Sequence, residues 1–335
     1  MNKEQEEIQF LGFFGIVQES FNIISSWKKI FTQISLSLIL PLSFIYLSHI
    51  ILSEYLFADI LHYQYMLDHT RMGTRSYDKF SDILASDLTK FFLFKLWYFI
   101  VFLVLSLLST SAVVYTIACI YTGRGISFKK VISVVPRVWK RLIVTFLWNS
   151  VIIFVYNVGA LMTMGLFAVI FLVLLGSKTT AVVFLVLLFV LYFVGFVYIS
   201  LIWQLASVVS VLEDFYGLKA MRKSQDLIKG KMGISLLVFL MLGVCAVGVH
   251  LGFEWLVVSK GIAILSRICF GVIFLMLETV VMLLGFIFQT IIYFVCKSFH
   301  HENIDKSSLS DHLEVYLGEY VPLKSKDVQL EHFQV

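Results

Sequence analysis

Six long apolar runs decide what this chain can fold into: residues 30–53, 92–121, 142–175, 180–212, 233–258 and 262–296. Each exceeds the roughly 20 residues a helix needs to cross a hydrocarbon core. The runs are continuous rather than alternating, which argues against a lipid-facing β-barrel. A helix satisfies its own backbone polar groups in lipid, so helices are the expected spanning element. Charged residues make up only 14% of the chain, against about a quarter in a soluble domain. The expected fold is therefore all-α and polytopic, with about six transmembrane helices.

The runs come in pairs, and a basic, helix-patterned stretch leads into each pair: Phe10–Lys29, Phe128–Arg141 and Phe215–Lys231. This reads as one unit repeated three times, a surface helix followed by a hairpin. The domain plan is an N-terminal segment 1–29, a six-span domain 30–296 and a tail 297–335. Residues 2–7 are mostly charged or polar, and no short apolar core with a cleavage site follows, so the first run is expected to serve as an uncleaved insertion signal. It contains Pro41, which a membrane helix tolerates with a kink.

Charge sets the expected orientation. Segment 122–141 carries six basic residues and no acid, and segment 213–232 carries five against three acids. Loop 54–91 has four basic residues and six acids. Lys/Arg excess marks the cytoplasmic side, so both basic elbows, the N-terminus and the C-terminus are expected in the cytosol, with loop 54–91 opposite. The host membrane is the endoplasmic reticulum, another endomembrane or the plasma membrane.

Within the second stretch, Phe128, Val131, Ile132, Val135, Val138, Trp139 and Leu142 recur at helical steps. Lys129, Lys130, Arg137, Lys140 and Arg141 fall largely outside that stripe, and Pro136 is expected to kink or divide the helix. The first stretch shows a stripe through Phe10, Phe13, Phe14, Val17, Phe21 and Ile24 and ends in Trp27, Lys28 and Lys29. Such helices lie at headgroup level, and each Lys or Arg near an anionic leaflet adds about 1 kcal/mol. The expected partners are the bilayer and its anionic cytosolic leaflet, with no nucleic acid.

The third stretch carries Glu213, Asp214, Gly217, Ala220, Met221, Arg222, Ser224, Leu227, Lys229 and Gly230. This pattern resembles an element of the membrane domain attached to some bacterial glycerophosphodiester phosphodiesterases. The acids suit a helix N-terminus and Lys229 its C-terminus, and Gly230 can take a left-handed cap. The tail 308–323, SLSDHLEVYLGEYVPL, followed by 327–335, resembles the tail of a plant family of uncharacterised multi-pass transmembrane proteins. That resemblance implies an integral membrane protein, and no phosphodiesterase domain is attached. Leu309, Leu313, Tyr316 and Leu317 share one helical face, stopped by Gly318. The tail is expected to dock on its own bundle or on a protein partner.

Catalytic patterns are missing. There is no Walker A loop and no G-x-S-x-G elbow, and His301–Glu302 lacks a second histidine at zinc-protease spacing. Cys119, Cys245, Cys269 and Cys296 lie in or at the ends of apolar segments, spaced for neither zinc nor disulfides. Asp59, His62, Asp68 and His69 read as an ordinary polar loop. No cofactor and no enzymatic activity is expected. The costly residues sit inside the spans. Glu278 lies near the middle of the last run, where an ionisable group is a functional hypothesis by default. Arg267 and Glu254 are placed to pair as a strut, while Asn149, Asn157 and Gln204 can hydrogen-bond between helices. The leading expectation is a membrane-organising or regulatory protein acting through its surface helices and tail. The alternative is a transporter or channel for a small solute or lipid, with Glu278 in its pathway.

Overall fold

A computed structural model describes residues 9–123, 125–171, 178–258 and 263–300. Among these, the regular elements are helices: α1 (Phe13–Ser26), α2 (Lys28–Asp68), α3 (Arg75–Thr122), α4 (Phe128–Val169), α5 (Lys178–Leu212), α6 (Leu218–Ile228), α7 (Met232–Val258) and α8 (Ile264–Phe299). Six of them, all but α1 and α6, are long and apolar enough to cross a membrane. The tail, with its apolar face and Pro322, lies outside the described residues, as does the side chain of Arg137.

Local chemistry sets the boundaries. Thr74 caps α3 by accepting from the Tyr77 amide at 3.3 Å, and Gly123, at φ +72°, ends it in a left-handed cap. Ser127 caps α4 through the Lys130 amide. Pro41 would press its ring on the carbonyl four residues earlier. Helix α2 answers with a widened π-turn over Ser35–Ile39, and Ser37 Oγ donates to the Gln33 carbonyl at 2.7 Å. Pro136 does not divide α4, which runs through it unbroken. In the second unit the surface helix and the span are thus one continuous rod. The stretch 54–91 is not an irregular loop either. Helix α2 continues to Asp68 and α3 begins at Arg75, so only residues 69–74 turn. At 48 residues, α3 is about 72 Å long, well beyond the thickness of a bilayer core.

The hairpins are α2 with α3, α4 with α5, and α7 with α8. Helix α8 is the axial element and touches α1, α2, α3, α5, α6 and α7. Every residue of α8 from Ile287 to Cys296 is buried. The same is true of α3 from Ser109 to Cys119. These segments, with Val131–Leu142 of α4 and Val197–Leu212 of α5, build the main core. All of it lies toward the end that carries the basic elbows. At the other end a second, small core joins α2 to α7 through Leu47, Ile50, Phe253 and Val257. The α4–α5 hairpin takes no part in that core, and its Phe154, Leu161, Val186 and Leu191 are exposed apolar side chains.

Candidate functional site

The third elbow is a clamp. Helix α5 stops at Leu212, and Glu213 turns inward, its side chain 12% exposed. Its Oε1 accepts from Lys297 Nζ and from the Tyr293 hydroxyl, both at 2.6 Å. Lys297 also reaches the Tyr293 oxygen at 3.1 Å. Next along the chain, Asp214 pairs with Arg141 of α4 at 3.0 Å. Gly217 then donates its amide to Thr145 Oγ1 at 2.8 Å, and Thr145 lies 2.7 Å from Ser210 Oγ. Gly217 is the N-cap of α6, at φ +62° and ψ −137°, a conformation that excludes a side chain at little cost only for glycine. A Cβ there would meet Trp148 and Val144 of α4 at 3.1 and 3.3 Å.

Ala220, Ser224 and Leu227 are buried beneath α6, while Lys219 and Arg222 face outward. Lys229 caps the helix and pairs with Asp226 at 2.7 Å, which holds the Asp226 carboxyl below its ordinary range. Gly230, at φ +89°, follows as expected, with the Phe299 ring against it. The His300 ring lies 2.9 Å from the Lys229 carbonyl. Glu213 and Asp214, expected at a helix N-terminus, are not in the first turn of α6. They instead tie α5 to α8 and α4.

The other surface helices are partly as expected. On α4, Val131, Val135, Val138 and Leu142 are buried, and Lys129, Lys130 and Lys140 are exposed. Val134 joins the buried face and Ile132 leaves it. Arg141 is half-buried against the clamp. The expected stripe beside and along α1 divides: Phe13, Val17 and Ile24 pack against the core next to buried Ile16, Ser20 and Ile23, and Phe10, Phe14 and Phe21 point outward, Phe14 being 83% exposed. An apolar face can meet protein or lipid, and periodicity alone does not say which.

The polar residues of the spans do not converge on one site. Glu278 is 4% exposed, and its Oε2 has no hydrogen-bond partner. Asn149 is likewise buried with its Oδ1 unpartnered. Asn157 does bridge helices, accepting from the Tyr192 hydroxyl of α5 at 2.8 Å. Arg267 and Glu254 do not pair. Arg267 Nε donates to the Val257 carbonyl at 2.6 Å, and Glu254 lies 3.3 Å from His250 Nε2. Asp59, His62, Asp68 and His69 form no metal-competent group among the described residues. His69 instead bonds to the Tyr65 carbonyl.

Further polar contacts join the spans. Tyr46 meets His250 Nδ1 at 3.3 Å, extending the His250–Glu254 contact to α2. Lys95 of α3 reaches His49 Nε2 and Ser53 Oγ of α2, each at 2.8 Å. The signal was available, since Lys95, His49 and His250 are ionisable groups within apolar runs, as Glu278 is.

A cavity of about 220 Å³ opens between α2, α3, α4, α5 and α8 in the elbow half. Gln204 lines it, with Thr110, Thr145, Ser207 and Gln289, amid Phe102, Phe146, Trp203 and Phe286. On α8 the lining residues Met282, Gly285, Phe286 and Gln289 continue the face that carries Glu278.

These features define a six-span integral membrane protein with a clamped, basic end and an outer α4–α5 hairpin left out of the small core at the opposite end. The chain belongs to the family described as "Domain of unknown function (DUF8558)", matched over residues 1–333. No curated protein and no solved structure matches it.

Proposed function

We propose that this is a non-enzymatic, membrane-organising or regulatory protein whose elbow end rests on an anionic cytosolic leaflet. The supporting observation is the outward face of α1. Phe10, Phe14 and Phe21 project away from the bundle and lead to exposed Trp27, Lys28 and Lys29. Lys129, Lys130 and Lys140 of α4 and Lys219 and Arg222 of α6 are exposed at the same end. Aromatic side chains facing lipid beside cationic ones facing phosphate are the pattern of an interfacial amphipathic helix. The host is an endomembrane or the plasma membrane, and the family is a plant one by the resemblance of its tail. The tail would supply a protein-docking element.

The test uses a polarity-sensitive fluorophore on Phe14→Cys, with exposed Cys245 and Cys269 changed to Ser. In nanodiscs containing phosphatidylserine the probe should report an apolar environment. A water-like signal in every lipid would overturn the reading, as would labelling that puts Lys130 and Lys223 on opposite sides.

A second reading, a transporter or channel for a small solute or lipid, draws on Glu278, whose Oε2 is buried without a partner. An unpaired buried carboxyl is costly and fits a group kept for a passing solute or proton. Flux through proteoliposomes that Glu278→Gln abolishes would favour it. Equal behaviour of the variant and the original chain would remove it.

A further inference from the structure

We propose that the groove between α2, α7 and α8, at the end opposite the elbows, is a binding site for one anionic phospholipid. The inference concerns the other end of the molecule from the surface reading and does not rest on it. The groove holds about 420 Å³, within the roughly 300–1,000 Å³ of ligand sites. Its floor is the small core, with Leu47, Phe253 and Val257. Its rim, which includes Phe44, Ile268 and Val272, is exposed. These residues lie within spans, so the groove opens sideways toward lipid.

Polarity is graded along the groove as it is along a lipid. Among the described lining residues, Ser48 and Arg267 alone are polar. Arg267 stands in the first turn of α8, and its Nε donates to the carbonyl of Val257, in the last turn of α7, at 2.6 Å. That bond holds the guanidinium at the end of the hairpin, where a span reaches the headgroups. From Arg267 the wall runs along α8 to Leu275, about 12 Å toward the middle of the span. No polar side chain lines that stretch. An acyl chain suits the run, and a phosphate suits its end.

Charge selects the headgroup. A guanidinium offers five N–H donors in a planar fork, and among the described residues Val257 is the one acceptor that Arg267 meets. Glu254, the acid expected to balance it, lies against His250 instead. Arg267 lines the groove and is part-exposed, so it can be reached from the leaflet. A cation at the edge of hydrocarbon is costly without a counter-ion. Phosphate is the anion that a leaflet supplies, and arginine takes it in a two-pronged hydrogen bond. A lipid of net negative charge completes the neutralisation, whereas a zwitterionic one brings its own cation. Gly271 keeps the groove open, since it lines the wall and a Cβ there would meet nothing within 4 Å.

The probe is a phosphatidylglycerol with a diazirine in its acyl chain, added to the purified full chain in phosphatidylcholine nanodiscs and activated by light. Labelled peptides should come from residues 44–51 or 267–275. A diacylglycerol with the same diazirine lacks the phosphate and should label them about fivefold less. Gly271→Leu fills the groove and Arg267→Gln removes the charge. Each should cut phosphatidylglycerol labelling about fivefold while the protein stays monodisperse. If Arg267→Gln fails to fold, Gly271→Leu and the pair of probes carry the test. Equal labelling by the two probes would mean that the groove takes bulk lipid without selection, and would overturn the proposal. So would labelling that maps elsewhere, or that persists undiminished in a folded Gly271→Leu protein.

Discussion

The two ends of this molecule are built from the same residue types and behave differently. On α8, Ile287–Cys296 is buried throughout, while Ile264, Leu265, Ile268, Val272 and Ile273 of the same helix are largely exposed. On α4, Val131–Leu142 packs into the core, while Phe154, Leu161 and Leu166 do not. Hydrophobicity cannot be the cause, because lipid tails solvate Leu and Phe as well as protein does. What separates the halves is a dense run of small buried residues, together with one polar clamp that joins three helices. The elbow half has Ser109, Ser111, Ala112, Thr116 and Ala118 on α3, and Ala206 and Ser210 on α5, all buried. Those allow close backbone approach, and the clamp then fixes α4, α5 and α8 together. In the far half, a Cβ added at Gly159 or Gly165 would meet nothing within 4 Å, while Gly195 and Gly252 are each covered by a single aromatic ring, those of Tyr156 and Phe274.

That contrast can be broken. The largest effect is expected at Gly217, where Gly217→Val forces a β-branched side chain into a left-handed conformation against Trp148 and Val144. A loss of about 3 kcal/mol or more is expected, read as a collapsed monodisperse fraction in detergent. Next is Glu213→Ala, which leaves Lys297 partly buried without its carboxylate and should cost about 3 kcal/mol. The double variant Glu213→Ala/Lys297→Met should recover part of this, and simple additivity of the two singles would show that the pair is not coupled. In the far half, Asn157→Val should cost only about 0.6 kcal/mol. Hydrogen exchange should rise in the outer α4–α5 hairpin alone, and a global loss of protection would mean that the halves are one cooperative unit. The smallest effect belongs to Asp226→Asn on the exposed rim of α6, where no measurable shift in thermal midpoint is expected. A clear shift there would extend the clamp to the outer face of the elbow.

The spans were legible because length and apolarity are properties of contiguous residues. So was most of the α4 stripe, since burial of Val131, Val135, Val138 and Leu142 follows from helical spacing. Partners distant in sequence were not legible. Charge type marks Glu213 as polar, but nothing local points to Tyr293 and Lys297 on another helix. Similar depth suggests that Arg267 pairs with Glu254, but depth does not identify a partner: Arg267 bonds to the Val257 carbonyl and Glu254 lies against His250. The helical character of 54–91 was hidden because polarity was read as irregularity, although a helix leaving the bilayer has no reason to stop.

The axial position of α8 has a consequence for how the protein is made. Ribosomes deliver the chain in order, so α2 to α5 and α7 enter the bilayer before the helix around which they assemble. Until Tyr293 and Lys297 arrive, Glu213 has neither of the partners that hold it in place, and the small-residue faces of α3 and α5 have no centre to close upon. Biogenesis of this molecule is therefore a waiting problem, in which five inserted helices stay soluble in lipid, and shielded from wrong partners, until the sixth completes them.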